Sequence, residues 1–161
     1  MSRNHLSSEL AIAPQAQSIS NLMKDAHYGS AGDIMSLPAA KLVAILQDPD
    51  ASVYVRAKAC QRLAVVGDRS AVPALAPLLT HPQLSHYART ALEPLPDPGA
   101  DLALREALPK VQGNLRVGVI NSIGHRRDAQ AIGTLEKLRH DPDIEVARAA
   151  DAALARVRPP L

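Results

Sequence analysis

A recurrence of about thirty residues is the feature that most constrains the fold of this chain. Turn-forming triplets recur at steps of 33, 31 and 29 residues, and each lies between two segments whose apolar residues have helical spacing. The triplets are Asp48-Pro49-Asp50, His81-Pro82-Gln83, Gln112-Gly113-Asn114 and Asp141-Pro142-Asp143. Self-similarity at this period is typical of chains that stack one supersecondary unit. The sequence therefore predicts about four helical hairpins in series.

The first helix of each predicted hairpin carries an apolar stripe. In the first two copies the stripe is complete and repeats after 33 residues, whereas the fourth copy breaks off at Arg139, as expected where a last repeat meets water. The stripes are Leu42, Ile45 and Leu46; Leu75, Leu78 and Leu79; Leu104, Ala107 and Leu108; and Leu135 with Leu138.

The second helix of each hairpin has its own pattern. One residue is followed by a small or β-branched residue three positions later and by a large aliphatic residue seven positions later. The four copies are Arg56-Ala59-Leu63, Ala88-Ala91-Leu95, Arg116-Val119-Ile123 and Ala147-Ala150-Leu154. These spacings place the residues on one side of a helix, and the small residues allow a neighbouring helix to approach closely.

Capping residues predict where the helices begin and end. Ser36 precedes Pro38 as an N-cap precedes an early helical proline, and Gly67 follows Val66 where a helix should end. Ser70 and Asp128 are predicted to cap the next two first helices.

Prolines and composition predict two irregular regions and the domain boundary. Pro77 lies inside a helical pattern and should kink that helix, and 94–98 should form an extended link. Residues 1–36 are predicted to be a flexible N-terminal segment, in which Ser18–Ala26 could form a short capping helix. The helical domain is expected over 37–158.

Composition favours an all-α protein. Hydrophobic residues make up 47% of the 161 residues, yet the only aromatic ones are three tyrosines, so Leu, Ala, Val and Ile must fill the core. The net charge of +2 is too small to indicate nucleic acid as a partner. No apolar run suits a signal peptide or a membrane span, and the single cysteine fits a reducing compartment, so we expect a cytoplasmic protein without a membrane role.

The second-helix pattern resembles the HEAT repeats of the phycobilisome-lyase HEAT-like class. In that class the second helix often opens with Val-Arg, continues with Ala three positions later and closes with Ala-Leu-Gly. Here the matching residues are Val55-Arg56-Ala59-Leu63, Leu115-Arg116-Ile123-Gly124 and Val146-Ala147-Ala150-Ala153-Leu154. The resemblance implies an α-solenoid of about four HEAT-like hairpins. Ala88 and Ala147 stand where Arg is usual, so the stacked row of arginines is expected to be incomplete.

The resemblance leaves the function open between scaffold, enzyme and nucleic-acid binding. Most arrays of this class resemble interaction scaffolds, although the class is named after bilin-attaching enzymes, so a bilin lyase-like or accessory enzyme subunit remains an alternative. Weak nucleic-acid binding through Lys58, Arg62, Arg89, Arg116 and Arg148 is a second alternative.

Histidines and cysteine do not form a known catalytic pattern. Deoxyhypusine hydroxylase, another HEAT-like protein, holds two irons with His-Glu pairs, and none of the six histidines here precedes a Glu. Pro82 separates His81 from His86, which predicts two separate surface histidines rather than a metal pair. Cys60 lies beside the apolar stripe of its helix and is interpreted as a core residue. We therefore expect no enzyme activity, no metal and no cofactor.

The hypothesis that follows is a protein-binding scaffold. The second helices should line one face of a curved stack, with their outward side chains meeting a partner protein. Tyr54 is the strongest candidate, because an exposed tyrosine combines a large contact area with a polar end. The candidate partner-binding residues are Tyr54, Lys58, Arg62, His86, Arg89, Glu93, Asn121 and Arg148.

Overall fold

The computed structural model describes residues 25–158, and every regular element in that range is a helix. The α-helices are α1 (Ala31–Met35), α2 (Ala39–Gln47), α3 (Val53–Val66), α4 (Val72–Leu75), α5 (Ser85–Leu92), α6 (Pro98–Ala107), α7 (Gly113–Arg126), α8 (Ile132–Leu138) and α9 (Ile144–Val157). Short 3-10 helices cover Ala26–Tyr28, Arg69–Ala71, Ala76–Thr80, Leu108–Lys110 and Ala129–Ala131. The all-α fold class is confirmed.

Helices α2 to α9 form four consecutive pairs, and the members of each pair contact each other. The second helices α3, α5, α7 and α9 also contact one another in chain order. On the other side, α2 contacts α4 and α4 contacts α6. The short helix α1 packs against α3. The apolar side of each helix is therefore buried against the other helix of its pair and against the neighbouring pair along the chain.

The core contains the apolar stripes that the sequence predicts, together with further residues of the same helices and of α1. The first residue of each first-helix stripe is fully buried, as is the small residue at the centre of each second-helix pattern. These residues are Leu42, Leu75, Leu104 and Leu135 in the first helices, and Ala59, Ala91, Val119 and Ala150 in the second helices. Burying one Leu side chain contributes about 1.5 to 3 kcal/mol. The repeated leucines are thus a major source of stability at every pair.

Aspartates, and not the predicted serine, cap the 3-10 helices Arg69–Ala71 and Ala129–Ala131 that lead into α4 and α8. Asp68 accepts hydrogen bonds from the Ser70 N–H at 2.8 Å, and Asp128 accepts from the Gln130 N–H at 3.1 Å. Asp97 does the same at the start of α6. The predicted cap at Asp128 is confirmed. The predicted cap at Ser70 is wrong, because an aspartate two positions earlier already accepts the orphan N–H groups.

Two predicted boundaries around α2 and α3 have different outcomes. Ser36 does not cap α2, whose N-cap is Pro38; its hydroxyl instead donates to the carbonyls of Gly32 and Asp33 at the end of α1. Gly67 does end α3, since its N–H donates to the Leu63 carbonyl at 2.8 Å. The prediction at Gly67 is confirmed and the one at Ser36 is wrong.

The kink predicted at Pro77 is confirmed. Helix α4 stops at Leu75, and the chain continues as the 3-10 helix Ala76–Thr80. Proline has no N–H to donate and its ring crowds the preceding turn, so the α-helix cannot run through this position.

The proline-rich link 94–98 is held by one arginine. Arg126, on α7, donates to the carbonyl oxygens of Leu92, Glu93 and Leu95 at 2.7 to 3.0 Å and to that of Asp97 at 3.1 Å. Its guanidinium also forms a bidentate ion pair with Asp101, at 2.6 and 3.0 Å. The prediction holds in part: Asp97 has an extended backbone, whereas Pro98 already begins α6 and the Leu95 N–H closes a turn onto the Leu92 carbonyl. The next hairpin therefore fixes this link along its length.

The start of the described chain is attached to the turn between α2 and α3. The Asp25 carboxylate accepts hydrogen bonds from the Ser52 N–H and hydroxyl, and the Tyr28 hydroxyl donates to Asp48. Burial and the Asp48 carboxylate raise the pKa of Tyr28 to about 12. The predicted capping helix Ser18–Ala26 lies outside the described residues except for its last two positions.

Charged side chains join α8 to α9 at the far end. Arg139 lies 2.5 Å from Asp151 and 3.4 Å from Glu136, and Glu136 also pairs with Arg158. The hydrogen bonds from these arginines lower the pKa of Glu136. Among the described helices, none has the length and apolar composition that crossing a bilayer requires.

Candidate interaction surface

Four side chains form a stripe along the outer side of α3, which we call the α3 edge: Tyr54, Lys58, Arg62 and Val65. Their spacings of four, four and three residues place them on one side of the helix. Tyr54 is 58% exposed and Val65 is 75% exposed, whereas the two basic residues between them are partly buried. The α3 edge therefore presents two apolar ends and a positive centre.

The basic residues of the α3 edge lack acidic partners in the part of the chain that the structure describes. Neither Lys58 nor Arg62 takes part in an ion pair within 25–158. Lys58 Nζ lies 5.7 Å from the ring centroid of Tyr54, a cation-π distance. The Nε of Arg62 is enclosed and has no hydrogen-bond acceptor. Within 25–158, both cations therefore lack a compensating carboxylate.

The predicted candidates on α5 participate in an internal polar network. Arg89 Nη1 donates to the Gly118 carbonyl at 3.0 Å and to the Ser122 hydroxyl at 3.1 Å, and both acceptors belong to α7. The Ser122 hydroxyl in turn donates to Glu93 at 2.7 Å. His86 Nδ1 lies 3.5 Å from Arg89 Nη2. Of this group only His86 is exposed.

The network on α5 joins two second helices. Desolvation by burial lowers the pKa of Arg89, and the charge of Glu93 acts in the opposite direction. A Cβ atom at Gly118 would lie 2.7 Å from the guanidinium carbon of Arg89, so a larger residue there would force the guanidinium to move. Arg89 and Glu93 are therefore positioned to stabilise the α5–α7 contact, a role that their sequence positions alone do not indicate.

The last two predicted candidates lie on later helices. Asn121, on α7, is exposed. Arg148, on α9, is also exposed and pairs with Glu145 at 2.9 Å, one helical turn away. Surface pairs of this kind contribute at most about 0.5 kcal/mol. Both side chains are accessible, but they are not part of the α3 edge.

The two arginines that are present in the incomplete row donate hydrogen bonds to backbone carbonyls. Arg56 Nη2 donates to the Asp48 carbonyl at 2.6 Å, and Arg116 Nε donates to the Val111 carbonyl at 2.7 Å. Both therefore reach back to the turn that precedes their helix. At the equivalent positions of α5 and α9, Ala88 and Ala147 are buried. Arg116 is thus engaged within the domain and is a poor candidate for phosphate binding.

The two histidines considered as a metal pair have separate surroundings. His81 Nδ1 lies 3.1 Å from the Gln83 nitrogen and 3.2 Å from the Leu84 nitrogen, and accepts hydrogen bonds from both N–H groups. Asp48 and Asp141 accept from the residue two positions later in their own turns. His81 thus takes the place of the turn aspartates, and its acceptor nitrogen is already occupied.

Cys60 is fully buried, which confirms its interpretation as a core residue. Burial raises the pKa of its thiol to about 12. The thiolate is the reactive form, so Cys60 is protected both by lack of access and by protonation.

We expect an aromatic disulfide reagent to label Cys60 only when the protein opens. In the folded protein at about pH 8, labelling should be at least a hundredfold slower than in denaturant, because the thiol is enclosed and protonated. The release of the coloured thiolate, followed with and without urea, measures both rates. Equal rates in the two conditions would show that Cys60 is exposed.

A scan of the chain against protein-family models finds no match, and a search among curated proteins finds no significant relative. The candidate surface is therefore inferred from the positions of its side chains and not from relatives.

Three residues of this region are absent from the sequence prediction: Val65 at the end of the α3 edge, and Gly118 with Ser122 beneath Arg89. For Val65 the sequence does contain a signal, because a residue three positions after Arg62 lies on the same side of the helix.

Proposed function

We propose that this chain is a short α-solenoid of four HEAT-like hairpins that binds a partner protein through the outer side of its second helices. The single observation that carries the proposal is Tyr54, a largely exposed aromatic residue on a helix whose opposite side is part of the core. Rigid, exposed tyrosines are enriched among residues that dominate binding energies.

The packing of the helix pairs supports the solenoid part of the proposal. Each second helix contacts the next in chain order, and equivalent leucines are buried in all four pairs. An arrangement in which every repeat is stabilised by its neighbours leaves one long side of each helix available for binding.

The distribution of basic residues favours a protein partner over nucleic acid. Among the five basic residues that could contact phosphates, Arg89 and Arg116 donate to groups within the domain, and Arg148 is paired with Glu145. Binding to a phosphate backbone needs several available cations in a row. Lys58 and Arg62 alone, between Tyr54 and Val65, fit a mixed apolar and polar protein interface better.

Replacing Tyr54 with alanine tests the proposal. A partner would first be captured from the native cell with the full chain and then purified. We expect Tyr54→Ala to weaken its binding about thirtyfold, the effect of losing about 2 kcal/mol at an anchor residue. The helical circular dichroism signal and the melting temperature should stay close to those of the wild type, because the side chain is mostly exposed.

Leu102→Ala provides the matched control. Leu102 is 49% exposed on α6, a first helix, so it tests an equally large exposed apolar side chain away from the second helices. Its removal should leave binding unchanged. Equal losses for both variants, or a drop in melting temperature with intact binding for Tyr54→Ala, would contradict the proposed surface.

A further inference from the structure

The two basic residues of the α3 edge occupy positions that are buried in α7 and α9. Counted from the first residue of each helix, Lys58 and Arg62 correspond to Gly118 and Ser122 on α7. Both α7 residues are buried, and they contact Arg89 of the preceding second helix. On α9 the corresponding residues, Ala149 and Ala153, are also buried. At these two positions α7 and α9 are therefore packed against the rest of the domain, whereas the equivalent residues of the second hairpin, Thr90 and Pro94, are exposed.

On α3 the same side has no second helix before it within the described residues. Helix α1, which packs against α3, is only five residues long and spans about 7.5 Å. From Tyr54 to Val65 the α3 edge extends about 16 Å. Within residues 25–158, α3 thus carries two partly exposed basic residues where α7 and α9 carry small buried ones.

We propose that the α3 edge binds an acidic amphipathic helix of the partner protein; this inference rests on the proposed scaffold function. A helix with two carboxylates one turn apart would place them opposite Lys58 and Arg62. Apolar residues one turn further out would contact Tyr54 and Val65.

Charge complementarity distinguishes this occupant from others. The segment 1–24 contains Arg3 and Lys24 but only one acidic residue, Glu9, so it does not neutralise the edge. A second copy docked about a twofold axis would place the same basic residues opposite themselves. For nucleic acid, two cations between two exposed apolar side chains provide few phosphate contacts.

The test is selection of helical peptides by display on the immobilised full chain, in parallel with the Lys58→Glu/Arg62→Glu double variant. A library of about 14 residues covers the length of the edge. We expect the wild type to select Asp or Glu pairs spaced three or four residues apart, with apolar flanks. The double variant should bind those peptides at least tenfold more weakly by fluorescence anisotropy, and should select Lys or Arg pairs in their place.

The double variant should fold, because neither basic residue has an ion-pair partner among residues 25–158. Its circular dichroism melting curve checks this. If the reversal reduces the melting temperature, Lys58→Gln/Arg62→Gln removes the charges without introducing new ones, and the same tenfold loss is expected. For the Lys58→Glu/Arg62→Glu variant, recovery of binding when Glu in the peptide is exchanged for Lys would show that the contact is direct.

Several outcomes would overturn the inference. The inference is wrong if the selected peptides lack acidic residues, if their affinities do not change on charge reversal, or if no peptide is selected. Tighter binding of a peptide of residues 1–24, a sedimenting dimer that the reversal dissociates, or tighter binding of a single-stranded RNA 20-mer would each identify a different occupant. If the captured partner still depends on Tyr54 but ignores the reversal, the scaffold function stands and only the acidic helix is wrong.

Discussion

Replacing Arg126 with alanine is expected to lower the free energy of unfolding by about 3 kcal/mol, because it leaves buried acceptors without donors. The Arg126 side chain is only 8% exposed, and it supplies the hydrogen bonds to four carbonyls of the link between α5 and α6 as well as the ion pair with Asp101. Urea denaturation followed by circular dichroism measures the change.

Arg148→Ala is the control for Arg126→Ala. It removes the same side chain from an exposed i,i+3 pair with Glu145, and the expected loss is below about 0.5 kcal/mol. Arg126→Lys should fall between the two, since an ammonium group keeps the charge but cannot satisfy acceptors on two sides. If Arg126→Ala were as stable as Arg148→Ala, the link would not depend on the guanidinium.

Two glycine-to-alanine substitutions are expected to change stability in opposite directions. At Gly124, a Cβ atom would lie 2.8 Å from the Cα of Ala153, so α7 and α9 would have to separate, and we expect a loss of about 2 kcal/mol. At Gly133, on α8, nothing lies within 4 Å of a new Cβ atom. Gly133→Ala should therefore stabilise the protein by about 0.5 kcal/mol through helix propensity alone.

The same denaturation experiment checks both variants. Since alanine is the better helix former at either position, a destabilised Gly124→Ala cannot be explained by propensity and must reflect the close approach of the two helices. Two stabilised variants would show that α7 and α9 are further apart at this point.

Much of the fold can be predicted from the sequence because the repeat makes each signal appear several times. Leu42 alone is compatible with many folds, but the same stripe at Leu75 and Leu104 fixes the helical phase. The buried stripes and the break at Pro77 follow from local rules. The errors concern competition between neighbours: Ser70 has the chemistry of a cap, but Asp68 accepts its N–H first.

The candidate surface is harder to predict because it depends on contacts between different hairpins. Arg89 has the spacing of an outward residue, yet it crosses to α7 because Gly118, 29 positions later, leaves space for it. Likewise, Arg126 resembles a surface residue at a helix end, and its carbonyl acceptors belong to the previous hairpin. Helical periodicity describes one helix at a time, so it does not contain this information.

The charged network between α8 and α9 has a consequence for how copies of the protein behave when crowded. Helix pairs that stack through apolar sides can add further pairs from another molecule, which leads to open-ended fibres. At this end, such an addition would have to strip water from Glu136, Arg139, Asp151 and Arg158, whose side chains remain at least one-third exposed. Dehydrating four charges opposes that association, and the charged side of the α8–α9 pair therefore disfavours stacking of a further pair on it.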